Sequence, residues 1–302
     1  MSIKRKIWIG IKVIITVGAI WLYIRWKDAS NYGGQRYKEP FRIAGNLYYV
    51  GTRDVTSYLL AGPKGHVLID GGYPGTAPMI IKSITQLGFK ITDVKILLNS
   101  HAHVDHAGGL AQLQKASGAQ LWVSENDADI IESGGASYRN PGPLNLLMHL
   151  GIIGYPAARV NHRFKDGAQI RLGPIELTAH VTGGHTPGAT TWAIPVQEGN
   201  RKLLAVDMCD LQLPMPQSIF NWNYDTQIQK EFERGFKTLR SLPTDIYLAN
   251  HARTYSQKRK LAERSIAKDP IAPFIDRQGY LDDINKAEKK FIQTIKEQKQ
   301  SD

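Results

Sequence analysis

Cysteine is almost absent from this chain. Cys209 is the single one among 302 residues, so no internal disulfide can staple the fold, and cysteine usage says nothing about the compartment. No segment repeats at a fixed period and no low-complexity block interrupts the sequence, which excludes solenoids and fibrous arrays. Acidic residues are the scarcer charge: 27 Asp plus Glu stand against 38 Lys plus Arg, a formal net charge of +11. A basic balance argues for nucleic acid when it clusters on the folded body. Here much of the excess lies at the ends, in Lys4-Arg5-Lys6 with Lys12, Arg25 and Lys27, and again between Lys258 and Lys299. No nucleic-acid partner is expected, and charge close to a membrane surface accounts for the balance.

What the chain does contain is 42 % hydrophobic residues, enough for one large core. One apolar run stands apart. Residues 7–24 are apolar except for Lys12 and Thr16, with Lys4-Arg5-Lys6 before them and Arg25-Trp26-Lys27 after. At about 1.5 Å per residue such a helix nearly covers a bilayer core, and flanking Trp and basic side chains suit its interfaces. The hydrophobic stretch of a signal peptide is shorter, about 7–15 residues. Residues 1–27 are therefore read as a signal-anchor or signal peptide, 28–40 as a linker and 41–302 as the main folded body. Either reading exports the body, placing it in the periplasm, anchored to the inner membrane or released after cleavage.

Within the body, Gly-rich turns alternate with apolar strands and helical stretches, which predicts a mixed α/β fold. Strands are expected at Asn46 to Gly51, Thr56 to Ala61, His66 to Asp70, Asp93 to Ser100, Ala119 to Ser124, Ile175 to Val181, Thr191 to Pro195, Lys202 to Val206 and Asp245 to Ala249. Helices are expected at Thr76 to Phe89, Leu110 to Ser117, Asp127 to Ser133 and Thr226 to Arg240, with basic helical stretches near 255–268 and 279–299. Residues 134–160 read as a long irregular segment, in which Leu146-Leu147-Met148 suits packing.

The chemistry concentrates in His101-Ala102-His103-Val104-Asp105-His106-Ala107, between an apolar strand and a Gly-led helix. Strand-to-helix loops are where a rigid scaffold presents functional groups. Three imidazoles and a carboxylate so close together suit zinc, which takes His nitrogen and carboxylate oxygen. His101 and His103 can converge on one ion, while Asp105 and His106 turn toward a second, as in two-metal hydrolases. Of nine histidines, His185 and His251 also follow apolar strands, beside Gly or Asn. His66, His149, His162 and His180 do not, and read as structural or surface residues.

From about Gly45 to about Lys290 the chain resembles the metallo-β-lactamase superfamily. The H-x-H-x-D-H signature falls on His101, His103, Asp105 and His106, and the later histidines of the family on His185 and His251. It looks most like the third subclass of true metallo-β-lactamases, on Asn99-Ser100, Ala107 to Gln114, His185-Thr186-Pro187-Gly188 with Thr190-Thr191-Trp192, Leu242 to Asp245, and Pro273 to Asp276. The resemblance implies an αββα four-layer sandwich carrying two zinc ions. His101, His103 and His185 would hold one ion, and Asp105, His106 and His251 the other. A hydroxide shared by the ions, positioned by Asp105, would open the β-lactam amide bond and confer antibiotic resistance. The alternative is a glyoxalase II-like thioesterase or lactonase on the same dinuclear zinc fold.

The sequence departs from the family in two places. It lacks the cysteine pair that many members carry near Thr244 and Tyr280, and Leu211 to Tyr224, where relatives bear substrate-contacting serines, has diverged. Asp207 resembles the metal-bridging Asp of the thioesterases. In the third lactamase subclass that Asp does not ligate, so Asp207 is expected to be structural and hydrogen-bonded near the site.

Overall fold

The computed structural model describes residues 16–18, 20, 21, 24, 35–137, 154–212 and 226–301. Two sheets form its centre. The first joins seven strands in sequence order: β1 (Phe41–Ala44), β2 (Leu47–Tyr49), β3 (Tyr58–Leu60), β4 (His66–Ile69), β5 (Val94–Leu98), β6 (Gln120–Ser124) and β7 (His162–Phe164). The second has five: β8 (Gln169–Leu172), β9 (Ile175–Val181), β10 (Thr190–Glu198), β11 (Arg201–Met208) and β12 (Ile246–Ala249), in the order β12-β11-β10-β9-β8.

Side-chain alternation sorts the core. Tyr58 and Leu60, Val67 and Ile69, and Ile96 and Leu98 point into the space between the sheets. Leu59, Leu68 and Leu97 point outward, against helices α1 (Ala77–Gln86), α3 (Leu110–Ser117) and α4 (Glu125–Glu132). That is the period-2 rule of a strand with both faces covered. On the far side, α5 (Thr226–Ser241) supplies Phe232, Phe236 and Leu239, and α7 (Arg277–Ser301) supplies Tyr280, Ile284 and Phe291. The short α2 (Val104–Ala107) and α6 (Gln257–Arg264) complete the helices named here.

Two parallel pairings set up the active edge. β4 runs parallel to β5, and β11 parallel to β12, whereas β9, β10 and β11 are antiparallel. Ligand-bearing loops gather beyond the carboxyl ends of parallel strands. The segments after β4, β5, β11 and β12 meet here, and the Thr190 N–H at the start of β10 donates to the Ser100 carbonyl after β5 at 2.7 Å, tying the two sheets together. Where relatives carry the cysteine pair, Tyr280 is fully buried, its hydroxyl donating to the Leu239 carbonyl at 2.8 Å and its ring edge-on to Tyr247.

Three strands went unread in the sequence. β1, β7 and β8 have three or four residues each, too short for a periodic signal. Of the expected membrane helix at 7–24, only residues 16–18, 20, 21 and 24 are described; they are helical, with Val17, Ile20, Trp21 and Ile24 exposed. The rest of that helix lies outside the described residues, and among the described residues no helix is long and apolar enough to cross a membrane. Leu146-Leu147-Met148 and most of Leu211 to Tyr224 also lie outside them. In the stretch read as a linker, Tyr37 forms a β-bridge with Thr52, and Gln35 Oε1 accepts from Thr52 Oγ1 at 2.6 Å.

Candidate metal centre

The loop after β5 and the start of α2 carry the signature. His101 precedes α2, His103 is its N-cap residue, and Asp105 and His106 lie within its single turn. His185 follows β9 and His251 follows β12. All six expected ligands come together. His101, His103 and His185 offer donor atoms within 4.8 Å of one another, and His103 Nδ1 lies 3.0 Å from His185 Nε2. A second set forms beside it. Asp105 Oδ2 is 3.4 Å from His106 Nε2 and 3.5 Å from His251 Nε2, which are themselves 3.4 Å apart. The two sets share a wall: the His101 and His106 rings are 4.3 Å apart, and His101 also lies within 4.8 Å of Asp105 and His106.

Each set is aimed by hydrogen bonds from behind. His106 Nδ1 donates to Asp70 Oδ2 at 2.8 Å, His251 Nδ1 to Asp54 Oδ2 at 3.2 Å, and His185 Nδ1 to the Gln212 carbonyl at 2.6 Å. With Nδ1 as the donor, Nε2 faces inward in all three, the position a metal ligand requires. Asp70 closes β4 in a left-handed backbone conformation, φ +64°. That strain turns its carboxylate under the cluster, where it also accepts from Ser100 N–H, Ser100 Oγ–H and Asn99 Nδ2–H. Asp127, fully enclosed, ties the two His loops: it accepts from Ala102 N–H at 2.9 Å, Thr186 Oγ1–H at 2.6 Å and Gly188 N–H at 2.7 Å.

Burial and neighbouring cations keep the His101 imidazole neutral far below its ordinary value, and burial with His185 lowers His103 to about 3. Burial opposes charge on His106 too, but Asp105 and Asp70 outweigh it and raise the imidazole to about 10. Asp105 is held far below the usual carboxylate range: burial works against its charge, and His106 overcomes it. Neutral imidazoles and an ionised carboxylate are the donor forms zinc takes.

The histidines read as structural lie elsewhere: His66 packs on Phe89, His162 stacks on Trp122, His180 is on β9, and His149 lies outside the described residues. Asp207 makes no ligand contact, but the hydrogen bonds expected of it are not found. Both oxygens are buried without a partner among the described residues, and burial, helped by Asp70, pushes its carboxyl well up. Met208 packs into the core.

The sequence reading missed Asp210. Its side chain is 12 % exposed, and Oδ2 lies 3.7 Å from His251 Nε2 and 4.0 Å from His185 Nε2. The signal was available, since Cys209-Asp210 follows the apolar run of β11 as the other ligands follow theirs. Asp54, Asp70 and Asp127 gave only the weak signal of an Asp at a turn or helix start.

A family model described as the metallo-beta-lactamase superfamily matches residues 50–198. Among solved structures the chain is similar to the native FEZ-1 metallo-beta-lactamase from Legionella gormanii, at 34 % identity and TM-score 0.80 over 88 % of this chain and 98 % of that one. It is also similar to BJP-1, a subclass B3 metallo-beta-lactamase of Bradyrhizobium japonicum, at 30 % identity and TM-score 0.76, over 88 % and 96 %. Among curated proteins, an uncharacterized protein of Bacillus subtilis is 30 % identical over 52 % of this chain and 63 % of its own length. A hydroxyacylglutathione hydrolase of Anaeromyxobacter dehalogenans is 30 % identical over 45 % and 41 %. The match thus spans less than two thirds of these curated relatives.

Proposed function

This chain belongs to the metallo-beta-lactamase superfamily and is a hydrolase of it, and on that premise we propose that it hydrolyses the β-lactam amide bond with two zinc ions. One observation carries the reading: two three-donor sets stand wall to wall where the parallel strands end. Three protein ligands per ion leave a position open for water or substrate. The extent of the likeness to lactamases, most of both chains, favours the lactam over other carbonyl substrates.

His101, His103 and His185 would hold one ion, and Asp105, His106 and His251 the other. Zinc so bound would bring the pKa of water to near 7 and polarise the carbonyl under attack. Asp105 Oδ2, kept ionised, accepts a hydrogen bond from the attacking water and directs its lone pair at the carbonyl. Asp70 and Asp54 hold the His106 and His251 rings in place throughout. No side chain is needed as a nucleophile. Cys209, beside His101, is fully buried, and its thiol is pushed well above the ordinary range by that burial. Hydrolysis of β-lactams in the periplasm, by a body anchored through residues 7–24 or released from them, would confer antibiotic resistance. No nucleic acid takes part.

One observation favours a second reading, hydrolysis of a thioester or lactone: Asp210 adds a carboxylate at the centre, which repels an anionic group on the substrate. The test is hydrolysis of a chromogenic cephalosporin, a carbapenem and an acylglutathione thioester by the zinc-loaded chain, with and without a chelator. Chelator-sensitive opening of either lactam is expected. Turnover of the thioester alone would favour the second reading, and activity unaffected by chelation would overturn both.

A further inference from the structure

We propose that residues 35–37, read from the sequence as linker, form a strap that positions the second ligand set, with Gln35 as the positioning residue. The inference rests on the two-ion reading above. Gln35 Oε1 accepts three hydrogen bonds from the turn between β2 and β3: from Thr52 Oγ1–H at 2.6 Å, Val55 N–H at 3.2 Å and Asp54 N–H at 3.4 Å. Among the described residues no other acceptor takes those two backbone N–H groups. Asp54 is the residue whose carboxylate aims His251, its Oδ2 accepting from His251 Nδ1 at 3.2 Å.

The turn is gripped from two sides. On one, the Arg53 N–H donates to the Arg36 carbonyl at 3.0 Å, and Tyr37 pairs with Thr52. The Tyr37 hydroxyl reaches Gln86 of α1, and Lys82 Nζ of the same helix lies 4.1 Å over its ring, so the strap is itself fastened to the body. On the other side the turn pairs with the ligand loop. Val55 bridges to His251, the Ala252 N–H donates to the Asp54 carbonyl at 2.6 Å, and the Thr56 N–H donates to the Asn250 carbonyl at 3.1 Å.

The consequence is selective. Gln35 fixes the backbone that carries Asp54, and a carboxylate behind a ligating imidazole sets the orientation of the ring. Losing the Gln35 acceptor strands two backbone N–H groups, one of them on the buried Val55. The turn must then shift to satisfy them, and it takes the Asp54 carboxylate with it. The other set has separate supports: Asp127 ties the loops of His101, His103 and His185, and the Gln212 carbonyl holds the His185 ring. None of the strap's hydrogen bonds reaches those supports.

Metal binding by the full chain tests this without recourse to any substrate. Zinc and cobalt(II) would be titrated against a chromophoric chelator for the wild type, Gln35→Leu and Gln35→Glu, with the cobalt visible spectrum recorded at each step. Two ions are expected in the wild type. Gln35→Leu removes the acceptor and should weaken the second ion by about 10-fold, the lower end of the range for partners standing behind a ligand. The first ion should bind as before, and only the spectrum that grows in with the second cobalt should change. Gln35→Glu keeps an acceptor oxygen and should restore both affinity and spectrum. A lower melting temperature of metal-free Gln35→Leu with both affinities intact would make the strap a prop of the fold alone and overturn the proposal. Equal weakening of the two ions, or no rescue by Gln35→Glu, would overturn it as well. A wild type that binds fewer than two ions would overturn the two-ion reading, and this proposal with it.

Discussion

Asp105 is largely but not wholly shielded from solvent, and it stays ionised because His106 lies 3.4 Å away with Asp70 behind it. Its charge is therefore as much a product of packing as of chemistry. Asp105→Asn keeps the shape but donates where a carboxylate accepts. Turnover should fall by about two orders of magnitude or more, the scale of losing a positioned proton acceptor, with circular dichroism unchanged. Near wild-type turnover would remove Asp105 from the reaction. His106 carries the other half of the coupling. Raised to about 10, its imidazole is protonated in the metal-free protein at neutral pH, so an ion arriving there must displace that proton. Affinity for the second ion should therefore climb with pH between about 6 and 10, measured by competitive titration. The same proton favours the metal-free fold: its contribution is complete below the unfolded value of about 6.5 and is lost as pH rises through about 10.

Asp207 behaves in the opposite way. Its carboxyl is raised by burial and has no described partner, so ionisation costs the folded state stability as pH climbs above the unfolded value of about 3.9. Asp207→Asn should raise the melting temperature of the metal-free chain, and by more at pH 8 than at pH 4, where each kcal/mol is worth roughly 2–4 °C. A lower melting temperature at pH 8 would mean that the carboxylate has a structural partner. At this scale the ligands were legible because their chemistry repeats: each is a His or Asp in the segment that follows an apolar strand. Asp210 follows the same rule, but Asp207, the earlier carboxylate in the same stretch, carries the family resemblance in the sequence. Asp54 and Asp70 could not be read, since an Asp in a turn looks alike whether it caps a loop or orients a ring.

At the scale of elements, the centre depends on loops from both sheets being clasped together. Asp127, at the start of α4, accepts from the His101–His103 loop and from the His185 loop at once. An Asn there presents an amide to one of those donors, and leaving a buried donor unpaired costs about 1–3 kcal/mol. Asp127→Asn should lower stability by that amount in denaturant unfolding and weaken the first ion by about 10–100-fold. Unchanged zinc affinity would show that the loops hold without the clasp. Close approach is a second device. A Cβ on Gly109 would sit 2.1 Å from the Gly71 carbonyl oxygen, so the turn after β4 docks on the signature loop only because neither residue has a side chain there. Helices were the easier elements to read, and α3 (Leu110–Ser117) has the expected bounds, because apolar periodicity over several turns is hard to mistake. β1, β7 and β8 have meaning only through pairing, which a short run of residues does not announce.

For the whole molecule, the two-sheet sandwich was expected from the resemblance, but the point where the chain leaves one sheet for the other was not legible. β7 and β8 are neighbours in sequence and lie in different sheets, and nothing local to residues 162–172 marks that change. The layered arrangement brings donors more than a hundred residues apart onto one edge. The Lys and Arg residues behind the formal charge of +11 play no visible part there, since the donors at the centre are His and Asp. The account stands or falls on those donors forming two metal sites rather than one. The most direct measurement is the zinc content of the full chain after dialysis against saturating zinc and removal of excess, read by mass spectrometry of the metal against protein concentration. The account predicts close to two ions per chain, falling to about one when His251→Ala removes a donor from the second set. One ion or none in the wild type would contradict it.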